Sequence, residues 1–145
     1  MSDRLLFDTN SLLWFGNGVL IRPAAAAAIL LSQQTDHLRA SAISVWELTF
    51  ASRKRHPPSR PDLRGMTSRQ WFDDAIRRLR VSVIAIDTDI ASEAAEIAPS
   101  YGSGDPGDCI LIATAHLQDL TLITRDARIL SFAKANPEYM FVIPC

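Results

Sequence analysis

The chain has 145 residues, 48% of them hydrophobic and 21% charged, with a net charge of −1. That balance describes one domain, residues 1–145, able to bury a core, and it argues against disorder. Two cysteines, Cys109 and Cys145, cannot form a disulfide framework. With no signal-type N-terminus and no apolar run of membrane-spanning length, the expectation is a cytoplasmic protein with no membrane partner.

In chain order, Arg4 to Phe7 reads as a short buried strand and Ser11 to Phe15 as a short helix directly after it. Pro23 to Gln33 is a helix with proline in its first turn, and Leu38 to Ala42 a second strand. A helix follows from Ser44 to about Arg53. His56 to Gly65, with three prolines and a glycine, is loop. Ser68 to Leu79 carries Trp71, Phe72, Ala75, Ile76 and Leu79 at helical spacing. Val81 to Ile86 is a strand, Thr88 to Ala98 a helix, and Pro99 to Gly107 a loop containing Gly102 and Gly104. The chain closes with a helix from Pro106 to Leu117, a strand from Thr121 to Thr124, a helix from Ala127 to Ala135 and a strand from Met140 to Ile143. Strands alternating with helices predict an α/β fold, a mostly parallel central sheet covered by helices on both faces.

Four acids sit where an apolar run ends or on an apolar helix face: Asp8, Glu47, Asp108 and Asp126. Asp8 and Asp126 come at or just after strand ends, on the edge of a parallel sheet where ligands bind. Carboxylates near a core are costly unless paired, and no matching set of Lys or Arg stands beside these four in the sequence. A hard divalent cation such as Mg²⁺ is the simplest shared partner, which points to chemistry on a phosphate. Each acid also has a plain structural reading. Asp8 and Asp126 can cap the helices after them. Ser44-Val45-Trp46-Glu47 matches a capping box, and Asp105-Pro106-Gly107-Asp108 matches a helix start. Capping and metal binding can coexist. Asn10 and Thr124 are further polar candidates, able to orient a carboxylate or a metal-bound water.

Charge is unevenly spread. From Arg53 to Arg80 the chain carries +6, and the remainder −7. A basic band on an acidic body suits a polyanion held against a metal-loaded site. Arg77, Arg78 and Arg80 are the substrate-binding candidates, with a solvated helix surface as the plain alternative. The three histidines fall in unrelated contexts. Nucleophile-elbow, phosphate-loop and dinucleotide motifs are absent, and Cys109 reads as a small apolar helix residue.

Leu6-Phe7-Asp8-Thr9-Asn10-Ser11-Leu12-Leu13-Trp14 resembles the opening of a PIN domain, and Ser41-Ala42-Ile43-Ser44-Val45-Trp46-Glu47-Leu48 its second motif. Asp105-Pro106-Gly107-Asp108 with Leu111-Ile112-Ala113-Thr114-Ala115 resembles the third, and Leu122-Ile123-Thr124-Arg125-Asp126 the fourth. Four motifs in order cover almost the whole chain. The group most resembled is the VapC-type toxins of bacterial toxin–antitoxin pairs. The resemblance implies a PIN-like fold, a Mg²⁺- or Mn²⁺-dependent ribonuclease, a homodimer and a small antitoxin that blocks the site. It maps the family's acids onto Asp8, Glu47, Asp108 and Asp126, with Asp105 a common extra acid. Cys109 stands where many of these toxins carry arginine, and Pro106-Gly107 replaces a bulkier residue.

In the expected mechanism Asp8 and Asp108 bind the main ion, and Glu47 and Asp126 complete the shell or hold a second ion. The ion lowers the pKa of a bound water and offsets charge on the phosphodiester. Two other readings stay open. One is a nucleic-acid-binding module whose acids only cap helices. The other is a phosphatase with Asp8 as nucleophile, although Asn10 stands where a second acid would be needed.

Overall fold

The computed structural model describes residues 3–102 and 105–145, so Gly104 of the expected loop lies outside the described residues. Five strands form one all-parallel sheet: β1 (Leu5–Phe7), β2 (Leu38–Ser41), β3 (Ser82–Ile84), β4 (Thr121–Thr124) and β5 (Phe141–Pro144). Their spatial order is β3-β2-β1-β4-β5, which puts β1 at the centre. Leu5 stands in register with Leu38 on one side and Thr121 on the other.

Seven α-helices among the described residues surround the sheet: α1 (Thr9–Gly16), α2 (Pro23–Gln34), α3 (Ile43–Ser52), α4 (Ser68–Leu79), α5 (Thr88–Tyr101), α6 (Pro106–Leu117) and α7 (Ala127–Ala135). Side chains alternate across a strand. Leu5 and Phe7 therefore enter one core, with Leu12, Ile29, Leu38, Trp71 and Phe72 from β2, α1, α2 and α4. Leu6 enters the other, with Ile90, Ile112, Leu122 and Phe132 from α5, α6, β4 and α7. The helix α3 reaches both, through Ile43 and Leu48. Trp71 is fully buried, and its indole Nε1 donates to Asn17 Oδ1 at 3.0 Å.

Several element bounds differ from expectation: the strand expected over Val81 to Ile86 shrinks to Ser82–Ile84, and a short 3-10 turn, Pro57–Ser59, forms inside the expected loop. Three further differences bear on the site. α1 begins at Thr9 rather than Ser11, because Asp8 itself is the N-cap. α3 begins one residue early, with Ala42 as N-cap and Ser41 Oγ accepting from Ile43 N at 3.1 Å. Ser44 is thus a helix residue, and it makes no capping box with Glu47. α5 runs through Pro99 to Tyr101. Gly102, at φ +73°, closes that last turn by donating to Ala98 O at 3.1 Å, and Tyr101 packs edge-on against Phe132 at 5.6 Å. Tertiary contact here outweighs proline's break signal, and it carries Tyr101 to the sheet's acidic edge.

Candidate active site at the carboxyl edge of the sheet

Parallel strands deliver their carboxyl ends to a common edge, and β1 and β4 are neighbours. Asp8 follows β1 directly and its amide donates to Ile123 O at 3.1 Å. Its Oδ1 accepts from Ser11 N at 2.7 Å, capping α1. Asp8 is 6% exposed, and burial raises its pKa above the usual carboxylate range. Hydrogen bonds from Thr124 and Ser11 oppose that rise, and the Asp126 charge adds to it. Thr124 is fully buried at the end of β4, and its Oγ1 also accepts from Asp126 N at 3.0 Å. Asp126 caps α7, accepting at Oδ1 from Arg128 N at 2.8 Å and Ile129 N at 3.4 Å.

Glu47 comes from α3, the helix after β2. Its Oε1 accepts from Thr9 Oγ1 at 2.6 Å, and the Thr9 hydroxyl lies 2.9 Å from Ser44 Oγ. Burial pushes its pKa up to about 7, against the Thr9 hydrogen bond and with the charges of Asp105, Asp108 and Asp8. Asp105 and Asp108 come from the start of α6. Asp105 Oδ1 caps it, accepting from Gly107 N at 3.0 Å and Asp108 N at 3.3 Å. Asp108 Oδ2 accepts from Tyr101 OH at 2.7 Å. Burial pushes Asp108 up to about 6. The Tyr101 bond and Arg128 lower it, while Asp105 and Asp126 raise it.

Asp8, Glu47, Asp108 and Asp126 line one cavity of about 110 Å³, together with Thr9 and Asn10. Donor atoms of Glu47, Asp105 and Asp108 lie within 4.8 Å of one another, so Asp105 joins the cluster, while the expected ligands Asp8 and Asp126 line the cavity outside that group. Gly107 makes that approach feasible. A Cβ there would stand 2.7 Å from Glu47 Oε2, so an alanine would push the glutamate out. The donors are carboxylate oxygens with no thiolate or imidazole among them, which suits a hard ion such as Mg²⁺ or Mn²⁺ over zinc.

The small cavity adjoins a cleft of about 690 Å³ lined by Trp14, Trp46, Phe50, Lys54, Arg60 and Arg128 among others. A cation does stand beside the acids, contrary to expectation. Arg128 Nη2 lies 3.5 Å from Asp108 Oδ2, 3.5 Å from Asp126 Oδ2 and 4.0 Å from Asp105 Oδ2. Hydrogen bonding to Asp126 and the surrounding carboxylates raise its pKa. One clue was available in the sequence: a cation in the first turn of a helix opposes the helix dipole and needs compensation.

Arg77, Arg78 and Arg80 are not among the described residues that line the cleft. Arg77 and Arg78 both pair with Asp74 at 2.7 Å, and Arg80 pairs with Asp36 at 3.0 Å. The basic band reaches the cleft through Lys54 and Arg60 instead. Cys109 is buried against the second core, as an apolar helix residue.

The PIN domain model matches residues 5–135, and the chain belongs to the PIN domain family. Three solved structures illustrate the likeness. A toxin–antitoxin complex from Klebsiella pneumoniae is 27% identical with a TM-score of 0.58, covering 88% of this chain and 90% of that one. VapBC2 from Rickettsia felis bound to a promoter DNA fragment is 14% identical, TM-score 0.64, with 97% of each chain covered. DNA-bound VapBC from Salmonella typhimurium is 16% identical, TM-score 0.62, again with 97% of each covered. A comparison with curated protein sequences gave no match.

Proposed function

We propose that this chain is a Mg²⁺- or Mn²⁺-dependent endoribonuclease, the toxin of a toxin–antitoxin pair, active in the cytoplasm as a homodimer and held in check by a cognate antitoxin. One observation carries the reading: carboxylates from four separate segments line one cavity that opens onto a cation-bearing cleft. Capping alone does not account for it. Glu47 caps nothing, is half-buried, and sits where only a glycine at position 107 leaves room. Membership of the PIN family and the likeness to the Klebsiella complex supply the nuclease and toxin parts.

Asp8, Glu47, Asp108 and Asp126, with Asp105, would hold the ion, and a divalent ion there supplies an activated water and neutralises charge on a phosphodiester. Thr9 fixes Glu47, Tyr101 fixes Asp108 and Thr124 braces Asp8 and Asp126. Asn10, exposed at the rim, faces the same cavity. Lys54 and Arg60 hold the strand's phosphates, and Arg128 offsets part of the carboxylate charge that would repel them.

Calorimetric titration with Mn²⁺ tests the site. Wild-type protein is expected to bind, and Asp8→Asn and Asp108→Asn to lose at least about tenfold in affinity while remaining folded. Equal binding by wild type and both variants would leave the acids as caps only.

A further inference from the structure

α3 presents a stripe that the metal chemistry does not use. Trp46 and Phe50 stand four residues apart on α3, so they lie on one face about 6 Å apart along the axis, and Lys54 follows two residues beyond the helix end. Trp46 is 48% exposed and Phe50 52%. Large aromatic side chains left this open are unusual unless something covers them. Their rings are already arranged as a pair, with centroids 4.4 Å apart and planes tilted by 38°. Both line the cleft that contains Glu47, Asp108 and Asp126.

The surroundings select the occupant. The Arg53 guanidinium lies 5.7 Å from the Phe50 ring centroid, and Lys54 and Arg60 line the same cleft. Aromatic faces interleaved with cations match a nucleic acid strand, whose bases stack while its phosphates pair. A paired base has both faces taken by its neighbours in the duplex, so only an unpaired one can sit here. The third aromatic side chain of the cleft is less available, because the Arg125 guanidinium covers Trp14 at 3.8 Å from its centroid.

We propose that Trp46 and Phe50 form a stacking seat for one unpaired base of the substrate strand, next to the phosphodiester presented to the carboxylates. The seat rests on the ribonuclease reading above and refines it. It makes the enzyme selective for single strands or loops, with Trp46 and Phe50 as binding residues and Lys54 and Arg60 on flanking phosphates.

The test is a double-mutant cycle. Single-stranded oligoribonucleotides carrying one abasic nucleotide at each position in turn are bound to wild type and to Trp46→Ala in Ca²⁺, with recovered RNA checked for integrity. Wild type should lose between about five- and hundredfold in affinity when the abasic nucleotide falls at one particular position. Trp46→Ala should bind the intact strand more weakly by a similar factor and show no further loss at that position. Trp46→Phe should restore part of the difference, and duplex RNA should compete poorly. Equal weakening of intact and abasic strands in Trp46→Ala overturns the seat. So does unchanged affinity of Trp46→Ala for the intact strand, which would leave the stripe to a protein partner. RNA that is bound and cut with no abasic-sensitive position refutes the seat alone. No RNA binding by wild type refutes the ribonuclease reading and the seat with it.

Discussion

Gly107→Ala separates metal binding from folding. Gly107 lies in the first turn of α6 at an ordinary helical φ, so alanine costs nothing in backbone strain and gains about 1 kcal/mol in helix preference. Its new Cβ would stand 2.7 Å from Glu47 Oε2 and 2.8 Å from Glu47 Cδ, whereas ordinary contact begins at 3.4 Å. The carboxylate must therefore retreat by about 0.7 Å, the difference of those distances. Metal–oxygen distances tolerate only about 0.2 Å, so the glutamate swings away instead of stretching its bond. It also gives up the 2.6 Å bond from Thr9. The metal-free variant should melt within a few degrees of wild type, because a raised-pKa carboxylate is moved toward water. Its Mn²⁺ affinity, read by calorimetry, should fall about tenfold or more. Unchanged Mn²⁺ affinity would show that Glu47 does not ligate and that the packing of Gly107 against it is incidental.

Metal-free stability should decline as pH rises. The folded chain keeps protons on Glu47 up to about pH 7 and on Asp108 up to about 6, while unfolded carboxyls release theirs near 4.5 and 3.8. The native state then binds more protons between those limits, and unfolding free energy falls across them by about 1–3 kcal/mol after allowance for solvent screening. Calorimetric melting in EDTA from pH 4 upward checks this, and a stability that climbs through that range would contradict it. Mn²⁺ should reverse the trend, since proton release favours the ion. Asp108→Asn should be as stable as wild type or about 1 kcal/mol more so without metal, because it removes one charge from a self-repelling cluster. A loss of several kcal/mol on denaturant titration would mean the charge is structurally needed. Lys54→Gln with Arg60→Gln should flatten the salt dependence of RNA binding by about 0.7 in log–log slope for each phosphate no longer neutralised. Gln at Arg77, Arg78 and Arg80 should leave that slope alone, and the opposite pattern would return substrate binding to α4.

Much of the fold was legible because hydrophobic runs in this chain are short and cleanly punctuated. Arg4 to Phe7 reads as a buried strand and Thr121 to Thr124 as a strand, both form to within a residue, and the acids that follow them line one cavity. Ends set by tertiary contact were not legible. Pro99 says stop, but Tyr101 packing on Phe132 carries α5 one turn further. Side-chain direction was also hidden. The place of Arg128 in a first helical turn says that its charge needs a partner, but the order of residues does not say that it turns toward three carboxylates, that Thr9 reaches Glu47 across 38 positions, or that Arg77 and Arg78 both turn to Asp74. Nothing in the sequence separates Trp46 and Phe50 from the other apolar residues of α3, and it is their exposure beside the cleft that sets them apart.

The most direct measurement is RNA cleavage by the purified, metal-stripped chain as Mn²⁺ is added back, with Asp8→Asn and Asp108→Asn alongside. Cleavage by wild type that is absent in EDTA, returns with Mn²⁺ and stays absent in both variants is the expected result. Cleavage at the wild-type rate in excess EDTA, or by either folded variant, would contradict a carboxylate-held metal as the centre of the chemistry.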